Sequence, residues 1–253
     1  MSETTNASFP TVVLVHGAFA DASSWSGVIE RLQAKGVKVM APANPLRGIA
    51  ADAAYLGAVL QQIEGPVLAV GHSYGGAVIT NAATDAENVV GLVYVAAFAP
   101  DEGETLGAAE AGSKDSVLNS ALVPRTYPVA DGGSATEFYI DPAKARDAFA
   151  GDLSDEQAAL IAATQRPVAD AAFGEPNGPP AWKHLPSWAV VATGDKAAGT
   201  DVVRSMAERA GAKITEVEGS HVIMVSQPQA VASVILEAVG AGSEQLVGSA
   251  SEQ

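Results

Sequence analysis

The sequence predicts an α/β fold, a mostly parallel β-sheet with helices on both faces. Short apolar runs alternate along the chain with longer stretches of helical periodicity, and this alternation is typical of a parallel sheet with crossover helices. The run at residues 89–97 shows no polar alternation, as expected for a strand that helices cover on both sides. With 253 residues, the chain suits one large domain and is short for two.

The amino-terminal elements are predicted from β-branched runs and from helical spacing. Thr11–Val15 is rich in β-branched residues and stops at a loop, which predicts the first strand. Residues 25–35 carry apolar side chains at helical spacing and end before Gly36, which predicts the first helix. Residues 37–41 are predicted as the second strand, and residues 51–64 as the second helix.

The later core elements follow the same alternation. Residues 66–70 are predicted as the third strand, and an alanine-rich helix follows at residues 76–85. The fourth strand is the apolar run at residues 89–97. Two more strands are predicted at residues 187–193 and at Lys213–Val217, with helices at residues 201–210 and 228–239.

Composition excludes several classes of protein. The net charge of −15 argues against nucleic acid or an anionic membrane as a partner, because both would repel the chain. The longest apolar run, residues 89–99, is shorter than the ~20 residues that cross a bilayer. Residues 1–10 are polar and lack lysine and arginine, so we do not expect a secretory signal. Without cysteine there is neither a disulfide nor a thiolate metal site, and we expect a cytoplasmic protein.

The most informative motif is Gly71-His72-Ser73-Tyr74-Gly75, which lies between a predicted strand and a predicted helix. A sharp strand-to-helix turn of this kind holds a serine on a strained bend, where its hydroxyl is exposed above a parallel sheet. Glycine is needed on both sides because the strand and the helix approach too closely for a Cβ atom. We therefore predict that Ser73 is a nucleophile.

A serine hydroxyl is a weak nucleophile and needs a base within hydrogen-bond reach. Of the four histidines, His221 lies in the loop between the last strand and the final helix, where this architecture carries its base. His16 is expected to support backbone in the first loop, and the turn is expected to point the side chain of His72 elsewhere. His184 is expected to be an ordinary surface or loop residue.

The base needs a carboxylate that fixes its tautomer and stabilises the imidazolium. Asp195 follows the strand predicted at residues 187–193 and is the best candidate. The order Ser73, Asp195, His221 is the one expected when the serine lies in such a turn. Asp201 in the same loop and Asp101 after the fourth strand remain alternatives, although Asp201 also suits the N-cap of the next helix.

Acyl transfer also needs hydrogen-bond donors for the oxygen that becomes negatively charged. One donor is predicted to be the backbone N–H of Tyr74, directly after the nucleophile. The other is predicted to come from His16-Gly17-Ala18 in the first loop, as the N–H of Ala18. These are backbone groups, so they form an oxyanion hole without any particular side chain.

The alternation of strands and helices breaks between residues 100 and 184. This segment holds many glycines, prolines and acidic residues, and it carries helical stretches at residues 142–149 and 154–164. So long a departure inside a compact domain is usually an inserted functional element. We predict a helical cap over Ser73, inserted into a core of residues 9–99 and 185–240. Residues 241–253 are small and polar, and we predict a flexible tail there.

With these motifs the chain resembles the α/β-hydrolase superfamily, in particular its branch of plant methylesterases, hydroxynitrile lyases and small bacterial esterases. The resemblance implies the α/β-hydrolase fold with a sheet of about six strands, since the first two strands of the superfamily's sheet are often short or absent in this branch. It spans residues 11–239 and is specific everywhere except the cap. It rests on residues 12–18 with Trp25, on residues 71–76 and 95–101, on Thr193-Gly194-Asp195-Lys196 and on Gly219-Ser220-His221.

Two departures from the pattern of this branch matter. Its lyases carry a lysine just after the catalytic histidine, and this chain has Val222 there, so cyanohydrin cleavage loses support. Residues 197–200 differ from the family's usual sequence after the acid, which keeps Asp201 open as the carboxylate. The serine at the turn argues against haloalkane dehalogenases and epoxide hydrolases, which resemble this fold but use aspartate there.

Aromatic residues are the candidates for the walls of an apolar substrate pocket, since such pockets are apolar clefts with few polar groups. Aromatics in a cap also form the cap's own small core, so each has a purely structural alternative. Phe19 and Tyr74 are favoured because they flank the first loop and the nucleophile. The further candidates are Phe98, Tyr127, Phe138, Tyr139, Phe149, Phe173 and Trp182.

The sequence therefore predicts a serine hydrolase that cleaves a small, rather apolar carboxylic ester through an acyl-enzyme. No glycine-rich phosphate loop, HExxH motif or cluster of metal ligands is seen, so no cofactor and no metal are implied. The same three residues permit other reactions: cofactor-free perhydrolysis of the haloperoxidase kind, or lyase, lactonase or amidase chemistry. The alternative from a different class is a ligand-binding protein with negligible turnover. Oligomeric state stays open.

Overall fold

The computed structural model describes residues 9–130 and 132–251. Its strands are β1 (Thr11–Val15), β2 (Val39–Met40), β3 (Val67–His72), β4 (Val89–Val95), β5 (Leu122–Pro128), β6 (Ser134–Ile140), β7 (Val168–Ala169), β8 (Ser187–Ala192) and β9 (Lys213–Val217). Its helices are α1 (Ser26–Gln33), α2 (Ile49–Gln61), α3 (Tyr74–Ala82), α4 (Leu106–Ala111), α5 (Ala145–Phe149), α6 (Asp155–Thr164), α7 (Ala171–Gly174), α8 (Thr200–Arg209), α9 (Ile223–Ser226) and α10 (Pro228–Ser251). Short 3-10 helices cover Ala22–Trp25, Leu118–Ala121 and Ala181–Lys183.

Six parallel strands form the main sheet, in the spatial order β2-β1-β3-β4-β8-β9. This order confirms the predicted α/β fold with a sheet of about six strands. Strands β3, β4 and β8 are buried along nearly their whole length, because helices cover both faces of the sheet. Helix α1 packs against α10, and α2 packs against α3. Since all six strands are parallel, their carboxyl ends meet at one edge of the sheet, where ligands bind in folds of this kind.

Most predicted elements hold to within a few residues, and the clearest differences lie at β2 and at the last helix. β2 is shorter than the predicted strand at residues 37–41, because it lies at the sheet edge and pairs with β1 alone. The last helix is predicted to end at residue 239 but continues to Ser251, and no proline interrupts the chain after Pro228. The flexible tail at residues 241–253 stays a prediction, and residues 252–253 lie outside the described part. No helix within the described ranges is both long and apolar enough to span a membrane.

Between β4 and β8 the chain leaves the main sheet and forms what we call the insertion. The predicted helical stretches at residues 142–149 and 154–164 correspond to α5 and α6, and a capping box between Ser154 and Gln157 begins α6. The insertion also contains an antiparallel sheet in the order β5-β6-β7, which the sequence does not predict. β5 carries two prolines and an arginine among its apolar residues, so the alternation of a half-buried strand is not visible in the sequence.

Hydrogen bonds and ion pairs tie the insertion to the core. Arg47, in the loop after β2, pairs with Glu137 on β6 at 2.7 Å. Asp201, in the first turn of α8, accepts hydrogen bonds from the hydroxyl of Ser113 at 2.5 Å and from the N–H of Lys114 at 2.8 Å. These contacts fix the insertion relative to the elements that follow β2 and β8.

Candidate active site

Ser73 lies between the end of β3 and the start of α3, in a backbone conformation that is rare for any residue with a side chain. Its φ is 53° and its ψ is −123°, and a positive φ at a residue other than glycine costs conformational energy. A Cβ atom on Gly71 would lie 2.4 Å from the carbonyl oxygen of Gly75, and a Cβ on Gly75 would lie 2.4 Å from that of Val15. The two glycines of the motif are therefore required by close backbone packing, as the sequence predicts.

The loop after β1 passes beside Ser73 and presents unbonded N–H groups. A Cβ atom on Gly17 would lie 2.6 Å from the Cβ of Ser73, so only glycine fits at this approach. Within residues 9–130 and 132–251, the N–H groups of Ala18 and Tyr74 have no hydrogen-bond partner. The next N–H, that of Phe19, is instead bound to the carbonyl of Arg166 in the insertion at 3.1 Å. Within the described residues the N–H groups of Ala18 and Tyr74 are therefore free of protein partners, as the prediction that they bind an oxyanion requires.

The loops after β8 and β9 bring Asp195 and His221 into contact. The Nδ1 atom of His221 lies 2.8 Å from Oδ2 of Asp195, and both residues are buried. The other carboxylate oxygen of Asp195 accepts the N–H groups of Ala197 at 2.8 Å and Ala198 at 3.0 Å. Because backbone donors fix the carboxylate and the carboxylate binds Nδ1, Nε2 is the imidazole nitrogen left free to take a proton.

Ser73 and His221 line the same small space, which we call the serine cavity. Its volume is about 10 Å³, close to the ~10–15 Å³ that one water needs. Among the described side chains, none makes a hydrogen bond to the hydroxyl of Ser73; catalytic hydrogen bonds are often long before substrate binds. The other residues that line the serine cavity are Ala18, Phe19, Tyr74, Phe98, Leu118, Phe149, Phe173 and Ala198.

His72 contacts the loop of His221, and sequence reasoning missed this contact. Its Nε2 lies 3.0 Å from the backbone carbonyl of His221, and the two rings are 4.7 Å apart. Burial holds the pKa of His72 well below its usual value, with the nearby His221 adding to the effect. A neutral ring protonated on Nε2 donates to the carbonyl and so positions the loop that carries His221. Only the place of His72 beside the nucleophile was available as a signal in the sequence.

The insertion holds the same loop from another side, through Asp152. The hydroxyl of Ser220, next to His221, donates to the carboxylate of Asp152. Burial acts to raise the pKa of Asp152, but hydrogen bonds such as that from Ser220 outweigh it and leave the pKa below its usual value. Asp152 was not predicted, since nothing in the sequence links it to a residue so far along the chain.

The remaining histidines and acids have other partners. His16 supports backbone as expected: Nδ1 binds the carbonyl of Gly17 and Nε2 accepts the N–H of Asn44, both at 2.9 Å, and burial lowers its pKa. His184 is exposed.

Of the two alternative acids, Asp101 pairs with Lys183 at 2.6 Å, and Asp201 binds the insertion as described above.

Only part of the predicted aromatic wall reaches the serine cavity. Phe19, Tyr74, Phe98, Phe149 and Phe173 line it, whereas four other candidates do not. Tyr127 lies under the guanidinium of Arg47 and Tyr139 under that of Arg125, at 4.6 and 4.8 Å from the ring centres. Phe138 packs edge-on against Phe173, and Trp182 donates from Nε1 to the carbonyl of Pro100 at 3.1 Å.

The unpredicted sheet of the insertion explains the positions of Tyr127, Phe138 and Tyr139. Tyr127 is on β5, and Phe138 and Tyr139 are on β6, so their directions follow the alternation of strands rather than the helical cap expected from the sequence.

Within residues 9–130 and 132–251 no group of three or more histidine, aspartate or glutamate side chains could hold a metal ion.

Comparison with known proteins gives one family and one fold. The model of the alpha/beta hydrolase family matches residues 12–234. A polyneuridine aldehyde esterase is 23% identical, with 91% of this chain and 99% of that chain covered and a TM-score of 0.77. A pyrethroid hydrolase from Sphingobium faniae is 21% identical, with 94% and 100% covered and a TM-score of 0.75. A methylesterase from Arabidopsis is 20% identical, with 91% and 99% covered and a TM-score of 0.75.

At these identities the likeness to solved structures shows the fold alone. A search of curated proteins finds no match to this chain.

Proposed function

The chain belongs to the alpha/beta hydrolase family, and from that premise we propose that it cleaves a small, rather apolar carboxylic ester through an acyl-enzyme on Ser73. The observation that carries the proposal is the hydrogen bond of 2.8 Å between His221 and Asp195, with the imidazole and the Ser73 hydroxyl lining one cavity. Esterase and methylesterase are also the names of proteins with the same fold.

In the first half of the proposed reaction, the Ser73 oxygen attacks the ester carbonyl carbon while Nε2 of His221 takes the hydroxyl proton. The imidazolium is stabilised by Asp195, which also holds Nδ1–H and so fixes the tautomer. The tetrahedral intermediate then collapses: the bond from carbon to the alcohol oxygen breaks, and His221 gives its proton to that oxygen. Alcohol leaves and the acyl group stays on Ser73.

In the second half, a water attacks the acyl carbon while His221 takes one of its protons. The bond to Ser73 breaks, and the serine oxygen recovers a proton from His221 as the acid is released. In both halves the carbonyl oxygen becomes negatively charged and accepts hydrogen bonds from the N–H groups of Ala18 and Tyr74. Loss of one such donor typically removes ~3 kcal/mol of transition-state stabilisation.

The test is a Ser73→Ala variant, assayed with p-nitrophenyl acetate and p-nitrophenyl butyrate. Because the nucleophile is lost, we expect turnover to fall by more than about 10⁴-fold, with a nearly unchanged unfolding curve. A fluorophosphonate probe should label the unmodified enzyme and fail to label the variant.

The matched control is Ser233→Ala, which removes an exposed serine hydroxyl on α10 and should keep both activity and labelling. Undiminished turnover in Ser73→Ala would remove Ser73 from the reaction. Labelling without turnover of any ester would instead favour another chemistry on the same residues.

A further inference from the structure

We propose that a second cavity, beside the serine cavity, binds the alcohol part of the ester as a ring-sized apolar group, and that Phe149 controls its access. We call it the side pocket; its volume is about 220 Å³, and Phe19, Phe149, Ile161, Val222 and Val225 are among the residues that line it. This inference rests on the proposed function, because it assigns one half of the ester to a site.

The serine cavity cannot hold an ester by itself. Its volume of about 10 Å³ is that of about one water, so at least one half of any ester must lie in an adjoining space. The side pocket adjoins it directly, because Phe19 and Phe149 are walls of both cavities. A substrate whose carbonyl lies at Ser73 reaches the side pocket by passing these two rings.

A larger cavity of about 440 Å³ lies nearby but suits an apolar group poorly. Asp147, Asp152, Lys196 and Glu218 line it, and it shares only Phe149 with the serine cavity. An apolar group placed there would remove water from charged side chains, which is unfavourable unless new partners replace that water. Among the described residues that line it, the side pocket has one charged residue, Asp21, and its buried lining residues Phe19, Ala20, Phe149 and Val222 are all apolar. Its other polar lining residues are Ser23, Ser24, Ser26 and Thr164.

The histidine decides which half of the ester the side pocket takes. The leaving alcohol oxygen must receive its proton from His221, so the alcohol lies on the side of the imidazole. Val222 directly follows His221 and lines the side pocket. The ring of Phe149 lies 5.0 Å from the imidazole ring. The side pocket therefore begins next to the group that protonates the alcohol.

Phe149 stands where the two cavities meet. It is the last residue of α5, it is buried, and its ring packs edge-on against Phe19 with 6.1 Å between ring centres. Loss of its ring joins the two cavities into one space. A cavity of ~150 Å³ lined by apolar side chains is enough for benzene, so the side pocket accepts one ring with a substituent.

The experiment compares two ester series on the full chain. In the first series the acyl group is acetyl and the alcohol grows from methyl to phenyl to 1-naphthyl. In the second series the alcohol is p-nitrophenol and the acyl group grows from acetyl to butyryl. The readout is the ratio of kcat/KM between members of a series, which cancels any uniform loss of activity.

Val225→Trp fills the side pocket, and we expect it to lower the 1-naphthyl to methyl ratio by about tenfold or more while the butyryl to acetyl ratio stays the same. Phe149→Ala should raise the 1-naphthyl to methyl ratio.

Ile161→Trp, at a half-buried position on α6, should act like Val225→Trp and serves if that variant does not fold. Met40→Trp adds the same ring at a half-exposed position on β2 and should leave both ratios unchanged.

The outcomes separate this inference from the proposed function. The side pocket alone is overturned if the unmodified enzyme hydrolyses esters but Val225→Trp and Ile161→Trp keep its 1-naphthyl to methyl ratio. The same holds if these variants change the butyryl to acetyl ratio instead. An unmodified enzyme that turns over neither series and binds no fluorophosphonate overturns the proposed function, and this inference with it.

Discussion

The two walls of the serine cavity are built in different ways. On the core side, the main sheet and its loops hold Ser73 at a strained turn, beside the N–H groups of Ala18 and Tyr74, which have no partner in the described part of the chain. On the insertion side the wall consists of large side chains, Leu118, Phe149 and Phe173, which come from three separate elements. The core wall is fixed by backbone packing, whereas the insertion wall depends on side chains that can be exchanged.

This difference assigns separate tasks to the two walls. Backbone that leaves no room for a Cβ atom at Gly17, Gly71 or Gly75 holds reacting groups with little freedom, which suits the making and breaking of bonds. Exchangeable apolar side chains change the shape of a pocket without moving the reacting groups. We therefore expect core substitutions to change kcat strongly and insertion substitutions to change preference among substrates.

The strongest test of this comparison uses two aspartates near the start of α8. Asp195 binds the imidazole, and Asp201 binds Ser113 and Lys114 of the insertion. In Asp195→Asn the amide no longer stabilises the imidazolium or enforces the tautomer, so we expect kcat for p-nitrophenyl acetate to fall by about 10⁴-fold. Asp201→Asn only weakens a contact with the insertion, and a change of a few-fold is expected.

Unfolding midpoints of both variants show whether the loss is chemical rather than structural. Loss of activity in Asp201→Asn with activity kept in Asp195→Asn would reverse the assignment of the acid and contradict the division between the two walls.

The core wall could be predicted from the sequence because its causes lie in a short motif and in the alternation of strands and helices. Gly71 is needed by a backbone contact of the turn itself and Gly75 by a backbone contact with the neighbouring strand β1, while Asp195 and His221 follow strands whose carboxyl ends meet at one edge. The alternation of strands and helices predicts a parallel sheet, and a parallel sheet brings the loops that follow its strands together at one edge. The structure accordingly brings the predicted acid and base to 2.8 Å.

The insertion wall could not be predicted because its contacts join residues far apart in the chain. Asp152 binds Ser220, and Phe19 donates its N–H to Arg166, yet no local pattern links either pair. The strands that redirect Tyr127 and Tyr139 contain prolines or charges that hide their periodicity. Side-chain packing over such separations is not visible in a single sequence.

A second test adds one methyl group to each region. The Cβ atom of Gly75→Ala would lie 2.4 Å from the carbonyl oxygen of Val15, so the turn must shift. Overpacking of this kind costs about 1–3 kcal/mol of stability, and a shift of ~1 Å at reacting groups costs about 100-fold in rate. Gly174→Ala adds the same methyl in the insertion, where no described atom lies within 4 Å apart from the chain neighbours and the backbone of its own helix.

We expect Gly75→Ala to lose about 100-fold in kcat and to unfold at a lower temperature, while Gly174→Ala keeps its activity and its melting temperature. Equal behaviour of the two variants in a kcat assay and a thermal melt would show that the turn tolerates movement, contrary to the rigid core wall.

The smallest expected effect is a change in the pH dependence of stability at His72, compared with exposed His184 near the end of the insertion. Burial holds the pKa of His72 well below its usual value in the folded state, whereas the unfolded chain binds a proton near pH ~6.5. The unfolded state therefore binds more protons below pH ~6.5, and stability is lost as pH falls from there towards the lowered folded pKa. The slope from one such group is about 1.4 kcal/mol per pH unit.

His72→Gln keeps a donor for the carbonyl of His221 but cannot take up a proton. Its free energy of unfolding, measured in urea between pH 7 and pH 5, should therefore fall less steeply than that of the unmodified chain. Buried His16, whose pKa is also lowered, contributes equally to both proteins and cancels in the difference. His184→Gln should follow the unmodified curve. Parallel curves for His72→Gln and the unmodified chain would mean that the His72 ring takes up a second proton in the folded core over this pH range. The ring would then not hold the loop of His221 as a neutral donor.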